Sequence, residues 1–237
     1  MMANTYFRFR QFTIFQDRCS FKVGTDGVLL GACSDLPSEG RILDIGTGTG
    51  LIAIMAAQRT SCDIVGIEPD HESFLQASDN VAGTPWSDRI HLYNVSFQEF
   101  CRDPWFRFEA ILSNPPYFRD SLKNQDTARA RTRHNDTLSS DDLIEGITTL
   151  LSETGSLQVI LPYAEGNLFI AEAAERQLFC TGIIKVRPTP GSRIKRLILK
   201  FEQNRREPAE RFLTIEKGIR HHYTDEYKEI MKDYFLK

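Results

Sequence analysis

Arg41-Ile42-Leu43-Asp44-Ile45 reads as an apolar strand that runs into Gly46-Thr47-Gly48-Thr49-Gly50, and residues 51–58 continue as a helix with few polar positions. Strand, glycine turn and helix in that order leave few folds open. Glycines at alternate positions let the backbone turn sharply and approach a ligand with no Cβ in the way. The dinucleotide fingerprint G-x-G-x-x-G would need its third glycine at Leu51, so that reading fails. A second strand, Asp63-Ile64-Val65-Gly66-Ile67-Glu68, ends in an acid. Glu68 lies about as far past the loop as nucleotide folds place a carboxylate for ribose hydroxyls.

Strands and helices alternate from there. Helices are predicted over 71–81, 96–101, 140–151 and 165–177, and strands over 90–93, 109–113 and 156–161. That alternation predicts an α/β fold, a mostly parallel sheet with helices on both faces. Residues 182–186 and 194–201, joined through Pro188-Thr189-Pro190-Gly191, read as an antiparallel hairpin. A strand near 212–215 and a helix near 225–235 follow. Ahead of the glycine loop, alternating apolar residues over 6–23 suggest a β-ribbon, and 25–36 reads as a helix capped by Thr25 or Asp26.

Asn114-Pro115-Pro116-Tyr117 follows the strand ending at Ser113. Two prolines cannot continue a ladder, so they hold the asparagine out as a directed acceptor. The carbonyl before the second proline is free to face a ligand, and Tyr117 offers a ring beside it. Such a site grips a planar group carrying an NH2, and both adenine and a glutamine side-chain amide qualify. A plain proline-rich turn is the other reading. The polar stretch 118–136 has no periodicity and is too long for an ordinary connector, which marks it as disordered or functional.

A chain of 237 residues can bury one sizeable core and a small appendage. Five cysteines and five histidines are scattered without metal-ligand or redox spacing, so reduced thiols and no metal are expected. With no signal peptide and no membrane span, the cytoplasm is the expected compartment. A net charge of −3 argues against a histone-like or general nucleic-acid binder. The charge is uneven, however. Eight Lys/Arg face one acid, Glu202, between Lys185 and Arg206, and five face Asp120 and Asp126 between Arg119 and Arg133. These runs are either solvated faces or a local basic rim for a polyanion.

Taken together, the residues resemble a known family over nearly the whole chain. Asp44 to Gly50 is similar to the S-adenosylmethionine loop of Rossmann-like methyltransferases. With Lys22-Val23-Gly24-Thr25-Asp26-Gly27-Val28-Leu29-Leu30-Gly31, Asn114-Pro115-Pro116-Tyr117-Phe118, Arg133-His134 and Tyr223-Thr224-Asp225-Glu226-Tyr227, the chain resembles the bacterial tRNA1(Val) (adenine(37)-N6)-methyltransferases. The resemblance implies a seven-stranded sheet with one antiparallel hairpin strand, as a domain over 39–237 behind a ribbon-and-helix extension over 1–38. It also implies N6 methylation of the adenosine 3′ of a tRNA anticodon, with S-adenosylmethionine as methyl donor.

The implied catalytic residues are Asn114, Pro115 and Tyr117. The implied cofactor contacts are Thr25, Asp26, Asp44, Gly46, Gly48, Gly50, Glu68, Ser96 and Asn114. Ser96 departs from the family, which often carries an acid there to accept from the adenine amino group; a hydroxyl accepts more weakly. Arg129, Arg131, Arg133, Arg193, Lys195 and Arg196 are the expected tRNA phosphate contacts. A monomer is expected, with a homodimer as alternative. Protein glutamine N5-methylation is the nearest rival, guanine N2-methylation a weaker one, and an RNA-binding protein without catalysis comes from a different class.

Overall fold

Residues 4–19, 22–102, 106–115 and 138–236 are described by a computed structural model. An antiparallel ribbon opens it, β1 (Tyr6–Arg8) against β2 (Thr13–Phe15), followed by α1 (Thr25–Cys33). The main run is β3 (Arg41–Ile45), α2 (Leu51–Arg59), β4 (Asp63–Ile67), α3 (His71–Ala82), β5 (Ile90–Tyr93), α4 (Phe97–Phe100) and β6 (Phe108–Ser113). Then come α5 (Ser140–Leu150), β7 (Leu151–Pro162), α6 (Tyr163–Glu175), β8 (Phe179–Arg187), β9 (Arg196–Glu202), β10 (Ala209–Thr214) and α7 (Asp225–Met231).

The large sheet has the order β10-β8-β9-β7-β6-β3-β4-β5. From β3 the chain steps outward to β4 and β5, then crosses back to β6 and β7 on the other side. The strand order therefore reverses between β3 and β6, and ligands of open α/β sheets bind at the carboxyl ends of strands around such a point. β9 runs antiparallel to both β7 and β8, which makes the expected hairpin. The strand count differs from the implied seven. β10 pairs in parallel with β8 and adds an eighth at the edge.

Two apolar layers hold the sheet. Ile42, Leu112, Ile160 and Ile198 pack toward α1, α2 and α7, while Leu43, Ile111, Leu157 and Leu199 pack toward α4, α5 and α6. Helix α2 is buried from Leu51 to Ala57, as a helix apolar on all sides must be. It lies so close under α1 that a Cβ at Gly31 would stand 2.8 Å from Met55 Sδ. Removing the fully buried Leu30 side chain to alanine would cost about 2–5 kcal/mol. Phe9, Phe12 and Ile14 of the N-terminal segment enter the same layer as Ile42 and Ile54. Asn80 of α3 fastens that segment, accepting from Phe15 N (2.8 Å) and donating to the Phe15 and Thr49 carbonyls (2.9 Å each).

α1 differs from expectation at both ends. It stops at Cys33, because Ser34 turns extended and the Asp35 N–H is taken by Gln158 Oε1 at 2.8 Å. Its N-cap is Gly24, without a side-chain bond, and Thr25 and Asp26 lie in the first turn instead.

Candidate functional site

Ile45, Ile67 and Ser113 end their strands level with one another across the sheet. The glycine loop, Glu68 and Asn114 therefore emerge at one edge, beside the point where strand order reverses. The Ser113 hydroxyl ties that edge together by donating to the Ile45 carbonyl at 3.2 Å.

Gly46, Gly48 and Gly50 adopt φ of +69°, +56° and +80°, a left-handed run that side chains with a Cβ disfavour. Gly46 and Thr47 donate to the Ile67 carbonyl at 3.0 Å, and Gly48 N–H donates to Glu68 Oε2 at 2.9 Å. A Cβ on Gly46 would meet nothing within 4 Å, and one on Gly48 only the Gly46 carbonyl at 3.9 Å. The outer side of the loop thus opens onto space that a ligand can fill.

Asp44 lies beneath that loop, fully buried. Its Oδ2 accepts from Thr47 Oγ1 at 2.6 Å and from Ala53 N–H at 3.1 Å, locking the loop to the first turns of α2. Oδ1 has no partner. Burial pushes this carboxyl up to about 7, against the pull of the Thr47 and Ala53 bonds. Glu68 is also buried, and its carboxyl is raised by desolvation despite bonds from Asp70 N–H (3.1 Å) and Gly48 N–H. Those two bonds leave acceptor positions on the carboxylate unused. Asn94, which the sequence reading missed, holds the end of β4 by donating to the Glu68 carbonyl (2.8 Å) and the Pro69 carbonyl (3.1 Å). No local sequence pattern marks it, because its role depends on β5 lying beside β4.

Ser96 serves a local purpose. It caps α4, with Oγ 2.6 Å from Glu99 Oε2 and accepting from Glu99 N–H at 3.2 Å in a reciprocal capping box. The hydroxyl expected to meet an adenine amino group thus also serves its own helix, with one acceptor position beyond the Glu99 bond.

Asn114 is half-buried and Pro115 buried. A Cβ at Gly27 would lie 3.9 Å from Asn114 Nδ2 and 3.2 Å from Leu51 Cδ2, so the first turn of α1 forms the wall beside the asparagine. Thr25 is exposed in that turn. Asp26 and Arg196, expected on cofactor and phosphate respectively, are brought together, with Arg196 Nε donating to Asp26 Oδ2 at 2.7 Å. The reason is register: Arg196 starts β9 opposite Pro162 at the end of β7, next to α1. Arg193 and Lys195 are exposed in the turn leading into β9, at the same edge. Pro116, Tyr117, the 118–136 stretch, Arg129, Arg131 and Arg133 lie outside the described residues. Among the described residues no group of three or more His, Cys, Asp or Glu could hold a metal, and no helix is long and apolar enough to cross a membrane.

Residues 22–164 match the model of the methyltransferase small domain family. A tRNA1(Val) (adenine(37)-N6)-methyltransferase of Parabacteroides distasonis is 43% identical over 237 residues, covering 100% of both chains. The protein of that name from Trichodesmium erythraeum is likewise 43% identical over 239 residues and 100% of both chains. Among solved structures, a predicted O-methyltransferase from Agrobacterium tumefaciens superposes with a TM-score of 0.68 at 19% identity, over 88% of this chain and 96% of that one. At that identity the likeness concerns the fold.

Proposed function

We infer the reaction from one premise: the chain belongs to the methyltransferase small domain family and, within it, to the tRNA1(Val) (adenine(37)-N6)-methyltransferases. The protein is a methyltransferase, and its product is N6-methyladenosine directly 3′ of the anticodon in a tRNA. S-adenosylmethionine is the donor that fits the edge described above, and when bound it supplies an electrophilic methyl group. The observation that carries the reading is the open glycine loop standing one strand away from Asn114.

Each half of the cleft has its task. The Gly46–Gly50 loop, locked from below by Asp44, cradles the donor, and Glu68 accepts from its ribose hydroxyls. Asn114 Oδ1 and the Pro115 carbonyl each accept one N6–H bond of the adenine. Adenine N6 is a weak nucleophile because its lone pair is delocalised into the ring. Two acceptors in fixed directions favour a tetrahedral nitrogen with that lone pair released. No general base acts before transfer, since the nitrogen becomes acidic only once methylated. Positioning and electrostatics supply the rate. Splaying the adenosine out of the anticodon loop costs a few kcal/mol. Stacking on Tyr117 returns about 1–3 kcal/mol, so extrusion is nearly balanced.

The test is incubation with labelled S-adenosylmethionine and either tRNA lacking this modification or a purified release factor. Nucleoside mass spectrometry is expected to find N6-methyladenosine 3′ of the anticodon. Label on a release-factor glutamine, with none in tRNA, would overturn the reading.

A further inference from the structure

β10 is the outermost strand beyond β8, and its two faces are treated differently. On one face Leu213 is buried and Arg211 pairs with Glu226 of α7 at 3.2 Å. On the other face stand Glu210, Phe212 and Thr214, and Phe212 is 53% exposed. An aromatic ring left half in solvent on a sheet edge needs a reason, because edges are normally blunted with charge. Lys185 and Arg187 of β8 share that face, Lys185 in register with Phe212 and Arg187 with Thr214. Lys185 Nζ lies 5.7 Å and Arg187 Cζ 5.5 Å from the ring centroid. Arg187 Nε also donates to Thr214 Oγ1 at 2.8 Å, which holds the guanidinium over the ring from the β8 side.

We propose that Phe212, Lys185 and Arg187 form a second RNA-docking surface, on which Phe212 stacks with an unpaired nucleotide and the two cations take its flanking phosphates. This rests on the tRNA reading above. A ring flanked by cations is the arrangement that binds single-stranded nucleic acid, because every base has a face to stack and every linkage a charge to neutralise. The position suits it too. Arg187 ends β8 at the edge where Asn114 follows β6, four strand spacings away from β10, about 19 Å at ~4.8 Å each. That separation puts Phe212 beyond the extruded adenosine and within reach of other nucleotides of the same arm. Glu210 is the carboxylate bonded to the patch, on Lys185 Nζ at 2.5 Å. It is exposed, and exposed pairs exchange readily for a phosphate.

The experiment compares the wild type with Phe212→Ala, Phe212→Trp and Lys185→Gln/Arg187→Gln, measuring tRNA binding across a salt series, methylation kinetics and sedimentation. Phe212→Ala is expected to raise Kd and KM for tRNA about tenfold, with kcat within about twofold, while Phe212→Trp keeps wild-type affinity. The double glutamine variant should flatten the slope of log K against log salt by about 1.4, two phosphates at ~0.7 each. Wild-type methylation of tRNA is the control. If it succeeds while Phe212→Ala leaves Kd and KM unchanged, the surface is overturned and the function stands. If the wild type methylates no tRNA, the function itself fails. A mass halved by Phe212→Ala, with tRNA affinity unmoved, would show a self-association edge and overturn the proposal as well.

Discussion

The two halves of the cleft are built on different scales. On the β3–β4 side the parts come from Asp44 to Asp70, joined by Gly48 to Glu68, Thr47 to Asp44 and Ala53 to Asp44 bonds, most of them buried. On the β6–β9 side, Asn114 is walled by Gly27, and Asp26 meets Arg196 from 170 residues away. The first half is backbone in left-handed glycines over buried carboxylates. The second is side chains at a partly exposed rim. On the proposed reading the first half holds the donor and the second the acceptor, so the second could be retuned without disturbing the first.

That division can be broken by mutation, and the largest effect is expected at the acceptor. Asn114→Ala should lower kcat by about a hundred- to a thousandfold, the usual loss when one oriented hydrogen-bonding group is removed from a transition state. Asn114→Asp should keep more activity than alanine, since one acceptor oxygen remains. Single-turnover methylation of tRNA measures both. If the alanine variant keeps most of its turnover, Asn114 is a wall and not a participant.

On the donor side, Glu68→Ala should weaken S-adenosylhomocysteine binding by about tenfold or more, corresponding to roughly 1.5–3 kcal/mol for a hydrogen bond to a charged group. An unchanged constant would put the ribose elsewhere. Arg193→Glu/Lys195→Glu tests the rim. It should weaken tRNA binding severalfold and flatten the salt dependence by about 1.4 or more, while donor affinity stays put. Equal slopes would return both residues to ordinary surface.

A further effect concerns Asp44 and shows only as pH dependence. Its folded-state value, about 7 against an ordinary 3.8, lies above that of the unfolded chain. The folded protein therefore holds a proton that the unfolded chain releases. Asp44 adds stability that is full below the ordinary value and lost as pH rises through about 7. Calorimetry of the ligand-free protein should find the Tm of the wild type falling relative to Asp44→Asn across that window. Parallel curves would mean the buried carboxyl stays ionised.

Legibility from sequence followed the same division. Glycine spacing, an acid at the end of the next strand and an asparagine before two prolines are local patterns, and the structure sets all three at one sheet edge. Alternation of strands and helices likewise carried the fold, because each element's apolar face is written in its own residues. What the sequence did not show depended on distant partners or on neighbours a few residues away. Thr25 and Asp26 looked like a cap, but Gly24 is the cap, and Asp26 in the first turn pairs with Arg196 far along the chain. Ser96 was read only for its ligand role, and the capping box that Glu99 completes with it three residues on was not foreseen. Asn94 carries no pattern of its own and matters only because β5 lies beside β4. β10 was foreseen as a strand but not as an eighth in the sheet, since pairing with β8 is invisible in either segment alone.

The independence of the two halves is tested most directly by titrating S-adenosylhomocysteine into the wild type, Asn114→Ala and Glu68→Ala under one set of conditions. Donor binding should be near wild type in Asn114→Ala and about tenfold or more weaker in Glu68→Ala. Equal weakening in both would mean that Asn114 belongs to the donor cradle, and the division of the cleft would not stand.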